Sequence, residues 1–209
     1  SSSVEYGTGT TLTASASGIP SPTYQWYLGS RGNVTSPVAG ATSGTFNTPP
    51  LTSGEPLGTV RYWVRASSIS GTADSETAEI TILPSSNPDL LGLTSSAGPL
   101  SPSFIPAITS YSLTVGYSFS SITLTPQARI AQTTIVINGQ TVPSGTASTP
   151  LALVEGVNPI TIQTTAGNGV ATRSYTVLVT RSAPPAAITG PAQDITYNGA
   201  TLHGTVDPN

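Results

Sequence analysis

Apolar side chains recur at every second position through most of this chain, a spacing that predicts strands rather than helices. Leu12, Ala14 and Ala16 form one such series, followed by Tyr24 and Trp26, then Tyr62, Val64 and Ala66, then Ala78, Ile80 and Ile82. Successive side chains of a strand point to opposite faces, so these positions share one buried face with Trp26 near its centre. The pattern predicts strands at Thr11 to Ser17, Thr23 to Leu28, Gly44 to Thr48, Val60 to Ala66 and Thr77 to Leu83, separated by turn formers such as Gly18-Ile19-Pro20-Ser21-Pro22. Short strands at this spacing predict a sandwich of two sheets.

A Pro-rich stretch, Pro84-Ser85-Ser86-Asn87-Pro88, separates that segment from a second series. Strands are predicted there at Tyr111 to Tyr117, Ile122 to Pro126, Ile135 to Asn138, Asn158 to Thr164 and Arg173 to Arg181. Asn138-Gly139 and Asn168-Gly169 predict two-residue hairpin turns, in which both residues take positive φ. The pattern restarts after Ser182 and predicts two further strands around Asn198-Gly199. Two strands cannot build a core. The expectation for 182–209 is therefore a hairpin whose edge is completed by a neighbouring copy, giving filaments, or one that rests on the second sandwich.

Several of these residues carry family resemblances. Leu12-x-Ala14, Trp26 within Tyr24-Gln25-Trp26-Tyr27, and Tyr62-x-Val64-x-Ala66 resemble the B, C and F strands of a bacterial immunoglobulin-like repeat, with Ala14 and Val64 where the two cysteines would stand. That resemblance implies a tyrosine corner at Tyr62, its hydroxyl tied to nearby backbone. It also implies a core without the roughly 2–5 kcal/mol of a native disulfide. Leu100-Ser101-Pro102-x-Phe104, Gly156-Val157-Asn158 and Tyr175-x-Val177-x-Val179-x-Arg181 resemble the cadherin-like β-sandwich family of bacterial surface proteins. Residues 182–209 are similar to the opening strands of a fibronectin type III-like domain. The expected fold is all-β: tandem immunoglobulin-like and cadherin-like β-sandwiches over 1–84 and 85–181, with a C-terminal partial sandwich (hairpin) over 182–209.

Composition agrees with neutral-faced β structure. Charged residues are 7% of 209, with six arginines, no lysine and nine acids for a net charge of -3, against a usual charged fraction of about 25%. No basic field exists for nucleic acid, and no cationic amphipathic helix for lipid, so neither nucleic acid nor membrane insertion is expected. There is no cysteine to report on redox compartment; the absence of thiols and amines suits an extracellular or bacterial cell-surface location. Without an initiator Met or an apolar run near 18 residues, the chain reads as an internal or processed piece of a larger protein.

Chemistry is sparse. His203 is the only histidine, no Gly-x-Ser-x-Gly elbow is present, and no base and orienter accompany a nucleophile, so no catalytic residue is expected. The cadherin-like resemblance does not bring calcium with it: the linker offers only Asp89, whereas calcium takes six to eight oxygens. No metal or cofactor is expected. Asp74, Glu76 and Glu79 are expected to face solvent. Asn33-Val34-Thr35 matches an N-glycosylation acceptor, a pattern common by chance. Without lysine, Lys–Asn isopeptide crosslinks within the chain are excluded.

One surface rises above this background. If Tyr62, Val64 and Ala66 point inward, Arg61, Trp63 and Arg65 point outward, and Tyr27 joins them from the neighbouring strand. Three readings remain open for Tyr27, Arg61, Trp63 and Arg65: a self-contained ladder with arginines over Trp63, an anchor for a neighbouring domain or copy, or a platform for glycans. The functional expectation is a non-catalytic structural or adhesive segment of a large secreted bacterial surface protein or extracellular filament. The alternative is a carbohydrate-binding or accessory module of a larger secreted enzyme.

Overall fold

The structure, a computed structural model, describes residues 2–52 and 58–207. The outermost positions of the first and third predicted segments, Ser1 and 208–209, lie outside them. All regular elements among the described residues are strands. The chain divides into two compact units, residues 1–86 with 166–170, and residues 87–165 with 171–209.

In the first unit the strands are β1 (Ser2–Glu5), β2 (Thr11–Thr13), β3 (Thr23–Leu28), β4 (Thr45–Asn47), β5 (Thr59–Ser68), β6 (Gly71–Asp74) and β7 (Ala78–Leu83). One sheet runs β1-β7-β5-β3, with β6 also on β5; the other is the antiparallel pair β2-β4. Trp26, Phe46, Tyr62, Val64, Ile80 and Ile82 form the core between them, with Leu12, Ala14 and Tyr24 packed at its margin. The inward alternation is as the pattern predicts. At the two cysteine positions of an immunoglobulin domain, Val64 is buried and Ala14 partly so.

Two features of this unit depart from the pattern. The strand predicted over Thr11 to Ser17 ends at Thr13 because its partner β4 is only three residues long. The ladder closes with Ala14 N–H donating to Gly44 O at 2.7 Å, and Ala16 N–H turns instead to the Tyr24 hydroxyl at 2.8 Å. Tyr62 does not form the expected corner: its ring meets Phe46 edge-on at 5.3 Å. No hydrogen bond from its hydroxyl is present among the described residues.

The second unit contains β8 (Leu90–Ser95), β9 (Ser110–Val115), β10 (Ser121–Ile122), β11 (Leu124–Ala128), β12 (Thr134–Ile137), β13 (Gln140–Thr141), β14 (Leu151–Ala152), β15 (Gly156–Thr165) and β16 (Thr172–Arg181). A five-stranded sheet, β13-β12-β15-β16-β9, faces the pairs β11-β8 and β10-β14. Leu90, Leu113, Ile122, Leu124, Ile135, Ile162, Tyr175 and Val177 lie in its core. β8 was not predicted because its buried positions, Leu90 and Leu93, break the two-residue period. A register shift between Gln127 and Ala128 of β11 restores both to the interior.

Buried polar groups of this unit are tied down. Asn158 accepts Val154 N–H at 2.8 Å and donates to Val154 O, Gly156 O and Val179 O, fixing the entry to β15. Tyr111 supplies the tyrosine anchor: its hydroxyl accepts Ile105 N–H and lies 2.7 and 2.8 Å from Ile105 O and Ile108 O. Asn138 and Gly139, at φ 44 and 84°, make the predicted two-residue turn. The Asn168-Gly169 expectation fails. Six residues separate Thr165 from its partner Thr172, and of the pair only Gly169 takes positive φ.

Beyond β16 the chain forms β17 (Ala186–Thr189), β18 (Gln193–Thr196), β19 (Gly199–Thr201) and β20 (Gly204–Asp207), paired β17-β20 and β18-β19 as one interrupted antiparallel hairpin. Its turn is Tyr197-Asn198, one residue before the predicted position, because Thr196 pairs with Gly199. The hairpin's side chains are exposed throughout.

Candidate functional site

Cross-strand register brings the predicted surface together. Tyr27 on β3 lies directly opposite Trp63 on β5, and their rings stack with centroids 4.6 Å apart and planes 14° from parallel. Arg61 and Arg65 flank Trp63 on the same face, and the Arg65 guanidinium carbon is 5.3 Å from the indole centroid. The four residues are therefore neighbours. Their exposure differs from the expectation.

Trp63 has no solvent-accessible surface, so the open aromatic platform is corrected to a covered one. Tyr27 stacks on it from β3, and the segment after β3 bonds back to the sheet. Gly29 N–H donates to Arg61 O at 2.8 Å, and two residues later Arg31 N–H donates to Thr77 Oγ1 at 2.9 Å. The connection is thus tied to Arg61 of β5 and to Thr77, just before β7. A ring with no exposed surface cannot stack on a sugar without displacing the side chains packed on it, Tyr27 and Arg65 among them.

The arginines are likewise committed. Arg65 holds Asp74 through two nitrogens, at 2.7 and 2.8 Å, and the two are register partners on β5 and β6. Arg61 Nε donates to Glu79 Oε1 at 2.7 Å, again between register partners. Arg31 pairs with Glu76. Glu76 and Glu79 are exposed, as expected, while Asp74 is partly covered; each of the three acids also pairs with an arginine. β6 was not predicted from its Gly-Thr-Ala-Asp sequence, so the proximity of Asp74 to Arg65 could not be read.

Asp74 and Arg65 shift each other's titration. Hydrogen bonding to Arg65 holds the Asp74 carboxyl below the usual carboxylate range, and the same contact raises Arg65 above its ordinary value. Burial raises the Tyr62 and Tyr111 hydroxyls. The Trp63 indole N–H is buried without a hydrogen-bond partner among the described residues, an arrangement that costs about 1–3 kcal/mol. Trp26 Nε1, by contrast, donates to Ser43 O at 2.8 Å. Among the described residues no group of three His, Cys, Asp or Glu side chains is placed to hold a metal ion, and no helix is long and apolar enough to cross a membrane. His203 is exposed on the C-terminal hairpin.

The family model of the cadherin-like beta sandwich domain matches residues 86–182. A curated protein of Evansella cellulosilytica named "Putative membrane protein" is 34% identical over 121 residues, which are 57% of this chain and 18% of that protein. The chain thus spans less than a fifth of that relative's length. Among solved structures, the fibronectin(III)-like modules of Clostridium thermocellum CbhA align at 13% identity over 87% of this chain and 90% of theirs, with a TM-score of 0.30. A chimeric titin Z1Z2 aligns at 16% identity over 88% of this chain and 93% of its own, with a TM-score of 0.33. The family match and the all-β architecture are consistent with an adhesive or structural module.

Proposed function

We propose that this chain is a non-catalytic structural or adhesive segment of a large secreted bacterial surface protein or extracellular filament, located outside the cell. The observation that carries this reading is how the charged groups are used. Five of the six arginines close the fold on itself: Arg31, Arg61, Arg65 and Arg173 pair with Glu76, Glu79, Asp74 and Asp89, and Arg181 donates to Tyr117 O and Leu153 O. Little directed polarity is left for recognising a small substrate. The outer face of the five-stranded sheet supports the same reading, since Ser110, Ser112, Thr114, Thr161, Gln163, Ser174 and Thr180 are uncharged and exposed.

Partners, in this reading, are neighbouring domains or further copies, joined through the C-terminal hairpin. It presents Ile188, Ile195, Tyr197, Leu202 and Val206 to solvent at 68, 74, 102, 73 and 73% exposure, and apolar surface of this kind favours association. Sedimentation of the full chain and of a chain truncated after Arg181 tests this. Association that strengthens with concentration and vanishes on truncation is the expected outcome; a full chain that stays monomeric at every concentration contradicts assembly through the hairpin.

A further inference from the structure

Three Asn-Gly pairs occur in this chain, at 138–139, 168–169 and 198–199. In such a pair the backbone nitrogen of the glycine can reach the asparagine side-chain carbonyl with little obstruction, because glycine has no Cβ. The reaction still requires the two atoms to approach in line, and the three sites differ in how freely they do so.

Asn138 is held on both sides. Its N–H donates to Thr161 O at 3.0 Å, its Oδ1 accepts Thr161 N–H at 2.9 Å, and its backbone is fixed at φ 44°. At the second pair, Asn168 Oδ1 accepts Val170 N–H at 2.9 Å. The nitrogen that would attack is also engaged, since Gly169 N–H donates to Ala166 O at 2.9 Å. Asn198 stands at the turn between β18 and β19, where every residue from Pro191 to Asp207 is exposed. No side-chain hydrogen bond to its amide is present among the described residues. Among the described residues the turn is restrained by the Thr196–Gly199 pairing and by the Thr196 hydroxyl, which donates to Gly199 O at 3.1 Å, and hairpins of two strands open readily in water.

We propose that Asn198-Gly199 is a site of spontaneous backbone-assisted deamidation, and that the fold protects the other two pairs. The Gly199 nitrogen loses its proton to solvent and attacks Cγ of Asn198. The N–Cγ bond forms, the Cγ–Nδ2 bond breaks, and the leaving nitrogen takes a solvent proton and departs as ammonia. Water then opens the five-membered succinimide at either carbonyl, leaving aspartate or isoaspartate at position 198. The hairpin gains one negative charge at its tip. This chemistry stands independently of the assembly proposed above.

The test is peptide mapping by mass spectrometry of the full chain incubated at mildly alkaline pH, following the amide-to-acid mass gain and isoaspartate content at each pair over time. In the native protein, conversion at Asn198 exceeds that at Asn138 and Asn168 by roughly tenfold or more, because the latter two must first open local structure. In denaturant the three rates converge. Gly199→Ala slows the reaction while leaving the hairpin undisturbed, since an added Cβ would meet only Thr196 Oγ1 at 4.0 Å. Native-state conversion at Asn138 or Asn168 as fast as at Asn198, or rate ratios unchanged by denaturant, would overturn the proposal.

Discussion

Tyr27 and Trp63, opposite each other on β3 and β5, stack at 4.6 Å with the indole fully buried and its N–H unpaired among the described residues. The pair is a packed part of the fold on the side of the sheet that ordinarily faces solvent. Removing only the unpaired donor should therefore cost little. Trp63→Phe keeps an aromatic ring on Tyr27 but also opens space at a fully buried site; relief of the unpaired donor offsets part of that cost, so the net loss is expected to be smaller than for Trp26→Phe. Trp26→Phe deletes the bond to Ser43 O and opens space in the core, at about 1–3 kcal/mol. Urea unfolding of both variants checks the contrast.

Acid should weaken the first unit through Asp74. Because Arg65 holds the folded carboxyl below its usual range, the unfolded chain takes up the proton more readily once pH falls below about 4. The contribution of the pair is present above that value and is lost as pH falls through the folded pKa. Asp74→Asn should lower stability at neutral pH and flatten the acid limb of a stability–pH curve, while leaving the alkaline limb unchanged.

Tyr111→Phe removes the group that satisfies Ile105 N–H and lies against Ile105 O and Ile108 O. Leaving such groups unpaired costs about 1–3 kcal/mol. Tyr62→Phe, whose hydroxyl makes no comparable bond, is expected to cost less. Thermal unfolding followed by circular dichroism ranks the two.

Gly44 permits a close backbone approach: a Cβ there would stand 2.7 Å from Ala14 O. Ala14 donates its own N–H to Gly44 O at 2.7 Å, so its backbone cannot withdraw without losing that bond, and Gly44→Ala is expected to destabilise the first unit by about 1–3 kcal/mol. Gly139→Ala strains a turn at φ 84° in open space instead, and its cost should be confined to the second unit. Domain-resolved hydrogen exchange separates the two effects.

Much of the core was legible in the sequence because parity is a local property. Tyr62, Val64 and Ala66 had to share a face, as did Ile160, Ile162 and Thr164. Parity also put Arg61, Trp63 and Arg65 on the opposite face. It could not say how buried that face would be: Tyr27 and Arg65 pack on the indole, and the connection after β3 bonds back at Arg61 and Thr77, contacts of long sequence separation made by residues without apolar periodicity. β6 and β8 escaped for related reasons, one being too poor in β formers and the other out of period through a bulge in its partner. The candidate site was therefore readable in membership and misread in exposure.

In the proposed reading, packing alone, without crosslink or metal, holds these sandwiches firmly enough for a structural role. Scanning calorimetry of the full chain, with and without a chelator, measures this most directly. Cooperative unfolding well above ambient temperature, with midpoints unmoved by chelation, is predicted. A chain already unfolded at ambient temperature, or one whose transition collapses when divalent ions are removed, would contradict it.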